Sequence, residues 1–220
     1  FFLYFLDLPG KGDLIAVDAE FVSVQHEQSA LAATGSKETI SEARLALARI
    51  SVIDCRTGNV IIDDHVLPRE PVVDYLTRFS GIVKSDLEPS TSPRHLVTTR
   101  NAYLKLRLLL DRGCIFVGHG LNQDFFIVNL FVPPSQIIDT VEIFRQDRMR
   151  KISLRFLANH VLGRDMQQNT HDSIEDARAA FELYLKALEF KQNDTFEKVL
   201  NEIYQIGQRT DWKLGLDTAE

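Results

Sequence analysis

Asp18 and Glu20 stand two residues apart in the run Leu14-Ile15-Ala16-Val17-Asp18-Ala19-Glu20-Phe21-Val22. Such an apolar run reads as a buried strand, and strand side chains alternate between faces. The two acids therefore share one face, while Ala19 turns into packing. Side-by-side carboxylates repel unless something neutralises them. Divalent cations that favour oxygen ligands do so. A plain pair of strand-edge acids is the alternative, since the chain holds 31 Asp and Glu in 220 residues.

Two further segments offer groups of the same kind. Gly118-His119-Gly120-Leu121-Asn122-Gln123-Asp124 follows the apolar stretch Cys114 to Val117. It reads as a strand, a glycine-flanked turn and a helix whose first turn holds Asp124. The helix dipole favours an acid there, and the glycines let another chain approach the backbone closely. His119 is expected to serve the turn. His171-Asp172-Ser173-Ile174-Glu175-Asp176 opens another helix, with Asp172 or Ser173 as its N-cap. His171 would then sit just before the helix and Asp176 in its first turns. Histidine is the side chain whose ordinary pKa suits base work near neutral pH.

Asp18, Glu20, Asp124, Asp176 and His171 together form a set. Four carboxylates suit two divalent ions, which hold an attacking water and a leaving oxygen on opposite sides of a phosphorus. Four negative charges against two divalent cations come out near neutral. An acidic chain can take a polyanion in this way. The net charge is 25 − 31 = −6, which argues against gripping duplex nucleic acid over a broad basic face.

The elements that must position these groups follow from periodicity. Leu45 to Ile53 and Val60 to Val66 read as strands joined by Arg56-Thr57-Gly58-Asn59, a hairpin signal. With the first strand they make an antiparallel meander. Gln25 to Ala43 shows no strand pattern and reads as a long loop. Pro71 to Gly81 suggests a helical turn or two. Leu96, Tyr103, Leu106 and Leu110 mark one helical face, stopped by Arg112-Gly113. Cys114 to Val117 and Ile137 to Asp139 are short strands, and Asp124 to Phe131 reads as a helix. Ser153 to Leu162 is a helix closed by Gly163. Ile174 to Phe190 is the clearest helix, and 194 to 206 a last one. Strands first and then strands alternating with helices predict an α/β class with a mixed sheet flanked by helices.

Other groups have plainer readings. Asp63-Asp64-His65 could pose as a metal site, but at the far end of a strand hairpin it reads as a solvated edge. Arg145, Arg148, Arg150, Lys151 and Arg155 form the one dense basic stretch, either a solvated helix face or a track for an RNA backbone. Trp212 is expected to pack the C-terminal tail. Cys55 and Cys114 lie far apart with no CxxC, as reduced core cysteines of the cytoplasm do. No stretch approaches the ~20 apolar residues of a membrane span, so no membrane partner is expected.

The surrounding words carry a resemblance. They are Asp18-Ala19-Glu20-Phe21-Val22, Phe116-Val117-Gly118-His119-Gly120-Leu121, Asp139-Thr140-Val141-Glu142, Ile152-Ser153-Leu154-Arg155-Phe156-Leu157 and Thr170-His171-Asp172-Ser173-Ile174-Glu175-Asp176-Ala177-Arg178. In this order they resemble the DEDD superfamily of 3′–5′ exonucleases, in the subgroup with a His five residues before the last Asp (DEDDh). Within it they resemble the ribonuclease domains of catalytic subunits of poly(A)-nuclease deadenylase complexes. The motifs run roughly from Leu14 to Leu188. The resemblance implies an RNase-H-like fold and a domain at residues 13–192. Residues 193–220 would be a helix and tail packed on it, and residues 1–12 a segment continuing from an upstream region. It implies two divalent ions, Mg2+ first with Mn2+ as an alternative, and trimming of messenger RNA poly(A) tails with release of AMP. Single-stranded poly(A), a regulatory subunit and, through it, poly(A)-binding protein are the implied partners.

The same resemblance, joined to the chemistry, suggests roles. Asp18 would bridge both ions, Glu20 and Asp176 would complete the tighter site, and Asp124 would hold the looser ion. His171 would take the proton from the attacking water. Phe21 would contact the terminal nucleotide and Leu121 would wedge near a base. Ser153 would hydrogen-bond the substrate or cap its helix, and Arg155 would meet the RNA. Two other readings stand beside this one: a related exonuclease trimming other RNA 3′ ends, and a silent RNA-binding or scaffold domain. Silent relatives usually lose an acid or the histidine, and all five are present here.

Overall fold

The apolar run around Asp18 forms the central strand of the sheet. In the computed structural model, which describes residues 8–31, 37–166 and 172–214, β1 spans Leu14–Gln25. The short strands β2 (Gln28–Leu31) and β3 (Lys37–Ser41) follow, and then β4 (Arg44–Asp54) and β5 (Val60–Leu67). One helical turn, α1 (Thr77–Ser80), precedes β6 (Leu96–Thr98) and α2 (Thr99–Asp111). Next come β7 (Ile115–Gly118), α3 (Leu121–Val128), β8 (Ile137–Asp139) and the single turn α4 (Thr140–Ile143). The chain continues through α5 (Leu154–Leu162), α6 (Ser173–Gln192) and α7 (Phe196–Arg209).

The main sheet has the order β6-β5-β4-β1-β7-β8. β1, β4 and β5 are antiparallel neighbours, while β7 and β8 add in parallel beyond β1, and β6 in parallel beyond β5. This is the mixed, helix-flanked α/β sheet expected. The meander closes at Gly58, whose φ of 73° lets its N–H turn back to the Asp54 carbonyl at 2.8 Å.

Alternation along β1 sorts the two layers. Ile15, Val17 and Ala19 enter a core with Leu106, Leu109, Leu121 and Phe125 from α2 and α3. Ala16 enters a smaller core on the other side with Ile174, Ala177 and Phe181 of α6. Asp18 and Glu20 share the parity of Ala16, so they lie on the α6 face. A further core of Phe156, Leu157, Leu183, Leu200 and Tyr204 joins α5, α6 and α7. Trp212 packs there too, its ring centroid 5.2 Å from that of Phe156.

Several expectations need correction. The Gln25 to Ala43 segment, expected to be a loop, carries the antiparallel pair β2 and β3. A hairpin ladder satisfies its own backbone groups, so it forms without an apolar pattern; residues 32–36 lie outside the described residues. Leu96, expected on a helix face, belongs to β6, and α2 begins only after Thr98, whose hydroxyl accepts the Asn101 N–H at 3.2 Å. Three residues are too few for an alternation signal. α3 starts at Leu121 and ends before Asn129, which takes φ 58°, rather than reaching Phe131. Asp64 and His65 are both 4% exposed, not a solvated edge. β6 covers that side of β5, and Asp64 binds Lys105 and His95.

Gly118, at the end of β7, is tightly enclosed. A Cβ there would stand 2.5 Å from Leu121 Cδ2 and 2.8 Å from the Val17 carbonyl oxygen. One of the obstacles is backbone, so the clash cannot relax by a side-chain rotation. Gly118→Ala is expected to destabilise the fold by about 1–3 kcal/mol, read as a melting temperature lowered by several degrees.

Candidate active site

Asp18 and Glu20 reach the α6 face of β1, where α6 meets it with Asp176 in its first turn. Each of these three offers a carboxylate oxygen, and the three oxygens lie within 4.8 Å of one another. Among the described residues no other cluster of potential ligands has this geometry. Glu20 and Asp176 are each only 7% exposed. Asp124, in the first turn of α3, stands outside the tight group but close enough to act electrostatically on Asp18 and Glu20.

These carboxylates are held in unfavourable company. Burial, then the charges of Glu20, Asp176 and Asp124, push Asp18 well above the usual carboxylate range. Burial and then the Asp176 charge raise Glu20 to about 9. Burial, with Asp139 adding, raises Asp124 to about 7. Glu20 Oε1 is buried with no hydrogen-bond partner. Buried oxygens are ordinarily satisfied, and an orphaned carboxylate oxygen facing two more carboxylates is what a divalent cation would complete. The donor set is all oxygen, so the residues fit a hard ion.

Local sequence explains the placement. The β1–β4 register shifts after Glu20, leaving Ala48 as an extra residue opposite the Glu20–Phe21 step. Bulges of this kind re-aim side chains. Asp172 caps α6, its Oδ1 accepting the Ile174 N–H at 2.9 Å. Gly120 enters α3 at φ 89°, a conformation glycine adopts without strain. Its N–H donates to Asp139 Oδ1 at 2.8 Å. His119 serves this turn, as expected. Its Nδ1 lies 2.9 Å from Thr140 Oγ1 and its Nε2 3.1 Å from the Ile152 carbonyl oxygen. A carbonyl only accepts, so Nε2 carries the proton.

The remaining sequence-predicted residues fall differently. His171 lies outside the described residues. Phe21 is half-buried against the main core. Leu121, expected to wedge near a base, is fully buried above Gly118; its side chain fills the core rather than facing a ligand. Ser153 is exposed and caps α5, accepting the Phe156 N–H at 3.3 Å. Arg155 lies 3.8 Å from Asp165. With Ser153, Phe156, Trp212 and Lys213 it lines a cleft of about 360 Å³. Arg145 and Lys151 both pair with Glu142, and Arg150 stacks over Trp212.

Sequence reading passed over Arg49 and Ser51, and gave Asp63 and Asp139 no part in the site. The available signal for the first was an arginine inside the apolar run Leu45-Ala46-Leu47-Ala48-Arg49-Ile50. Its side chain is 13% exposed and sits opposite Glu20.

The comparisons with known proteins bear on the family of the chain. Over residues 15–184 the chain matches the model of the Exonuclease (RNase_T) family. It is 48% identical over 209 residues to the PAN2-PAN3 deadenylation complex catalytic subunit PAN2 of Chaetomium thermophilum, covering 93% of this chain and 18% of that one. The PAN2 subunit of Homo sapiens is 46% identical over 215 residues, covering 94% and 18%. The chain therefore spans about 18% of the length of these curated relatives. Among solved structures, the Saccharomyces cerevisiae Pan2 pseudoubiquitin hydrolase-RNA exonuclease module in complex with AACCAA RNA superposes with a TM-score of 0.87. It is 44% identical, covering 96% of this chain and 35% of that one. The Neurospora crassa Pan2 catalytic unit gives 0.78 at 43% identity, covering 91% and 31%. The family match runs from the strand that holds Asp18 and Glu20 to the helix that holds Asp176, and the chain belongs to the exonuclease family.

Proposed function

We propose that this chain is the ribonuclease part of a poly(A)-tail deadenylase: a 3′–5′ exoribonuclease that shortens messenger RNA tails and releases AMP. The observation that carries the reading is the Asp18–Glu20–Asp176 cluster, in a chain 46–48% identical to PAN2 catalytic subunits. Two bound divalent cations, Mg2+ first and Mn2+ as the alternative, supply charge neutralisation and Lewis acidity at the phosphorus centre. Asp18, Glu20 and Asp176 would hold the tighter position, and Asp124 the looser one, with Asp18 shared. His171 would accept the proton of the attacking water, so activity falls on the acid side. Ser153 and Arg155, which line one cleft, would meet the RNA backbone, and Phe21 the terminal nucleotide. The proposed domain covers residues 13–192, with 193–220 attached.

The regulatory subunit of a PAN2–PAN3-type complex is the partner proposed, since the relatives' names carry that complex. Poly(A)-binding protein would be reached through it, in the cytoplasm. No described helix is long and apolar enough to cross a membrane.

A time course with 5′-labelled RNA tests the reading, comparing A20 with a mixed-sequence 20-mer in Mg2+ and in EDTA. Stepwise shortening from the 3′ end is expected, faster on A20 and stopped by EDTA. Equal trimming of both substrates would instead indicate a general 3′ exonuclease. No cleavage in Mg2+ or Mn2+, with the regulatory subunit present, would leave a silent RNA-binding domain.

A further inference from the structure

Arg49 reaches from β4 to two acids on different elements. Its Nε donates to Asp63 Oδ1 on β5 at 2.8 Å, and a terminal nitrogen lies 3.4 Å from Oδ1 of Asp172. That oxygen is the one that caps α6. Beside this fork, Ser51 Oγ lies 2.6 Å from Ser173 Oγ, both residues fully buried, and 3.2 Å from Asp63 Oδ1. Arg49, Ser51 and Asp63 thus fasten the first two residues of the α6 N-terminus to the sheet. Asp176 follows within one turn, and its N–H donates to the Asp172 carbonyl at 2.9 Å. On the other side Arg49 is the cross-strand neighbour of Glu20.

We propose that Arg49, with Ser51 and Asp63, is a positioning clasp for the metal site. It fixes the start of α6 against β4 so that the Asp176 carboxylate closes on Asp18 and Glu20. Those three oxygens come from two elements that only tertiary packing brings together, and they repel one another. The helix must be held at the acid pair by contacts outside the ligand set. Arginine suits the task because its planar fork binds two acceptors in a fixed geometry, which a lysine point charge does not. Partners that orient metal ligands typically contribute about 10–100-fold in metal affinity or activity. The inference rests on the metal-dependent exonuclease reading above and is independent of the preference for poly(A).

Charge and geometry predict opposite signs at this position. A cation beside the site repels a divalent ion, so removing the charge alone would tighten binding. Losing the clasp would weaken it. The test is Mn2+ binding to the full-length protein, followed by the electron paramagnetic resonance signal of free Mn2+. Asp18→Asn protein serves as the blank. Arg49→Met and Arg49→Lys are both expected to raise the Mn2+ dissociation constant about tenfold or more. Ser51→Ala should move it the same way by less. Rates at saturating Mn2+ should return to within a few-fold of the parent. Metal-free melting temperatures identify any variant that fails to fold, in which case Ser51→Ala carries the test. Tighter binding in Arg49→Met, or unchanged binding in folded Arg49→Lys and Ser51→Ala, would overturn the clasp. A parent protein that binds no Mn2+ above the blank would overturn the metal site itself and the clasp with it.

Discussion

Asp18→Asn is expected to abolish hydrolysis while making the metal-free domain harder to unfold. The two effects share one cause. Asp18 lies beside Glu20, Asp176 and Asp124, and burial plus those three charges hold its carboxyl far above the ordinary range. In the proposed metal-loaded state Asp18 would help hold the ions, so its loss would remove several kcal/mol of transition-state charge stabilisation. That corresponds to a rate lowered about a thousandfold or more. In the metal-free state the amide keeps the shape and removes the cost of a buried carboxyl that must either take up a proton on folding or sit charged among other acids. Relief of about 1 kcal/mol would raise the melting temperature by roughly 2–4 °C for a domain of this size. Paired measurements on the parent and variant check this: initial rates on A20 in Mg2+, and thermal unfolding in EDTA. A variant with measurable fractional activity and a lowered EDTA melting temperature would place Asp18 in structure rather than in chemistry.

The metal-free domain is also expected to lose stability as pH rises, and divalent ions to reverse that trend. Glu20 ordinarily titrates near 4.5 but is raised to about 9 in the fold, and Asp124 is raised from 3.8 to about 7. Between the ordinary and the raised value the folded state binds a proton that the unfolded state has released. Stability then falls with pH. The loss from Asp124 runs from about pH 4 to 7, and that from Glu20 from about pH 4.5 to 9. Metal ligation needs the ionised carboxylates, so cation affinity rises over the same window and binding releases protons. Melting in EDTA should therefore decline between pH 6 and pH 8. The stabilisation gained on adding Mg2+ should be larger at pH 8 than at pH 6. Glu20→Gln, which cannot ionise, should flatten part of the EDTA slope. An EDTA slope identical in parent and Glu20→Gln would remove Glu20 as its source.

Much of this was legible in the chain because it depends on local chemistry. Alternation in β1 alone put Asp18 and Glu20 on one face. Glycines around His119 marked the turn into α3, and Asp172 before an apolar periodic run marked the start of α6. These signals depend on backbone geometry within a few residues, so composition and spacing carry them. The sequence also held the order of the five motif residues and the α/β class. What it did not carry was anything set by contacts between distant segments. β6 has only three residues, and pairing with β5 rather than its own pattern makes it a strand. Asp64 and His65 looked solvated, yet both are 4% exposed, with β6 paired beyond β5 and Lys105 and His95 bound to Asp64. Leu121 looked free to meet a base, yet Gly118 leaves room beneath it and the core takes it. Only the tertiary structure brought Asp176 within 4.8 Å of the acid pair. It also set Arg49 between Asp63 and Asp172. The sequence determined which acids face one way on each element. Packing of α6 across β1 and β4 decided that they share one site, because a strand ending at Gln25 and a helix starting at Ser173 meet only through the core between them.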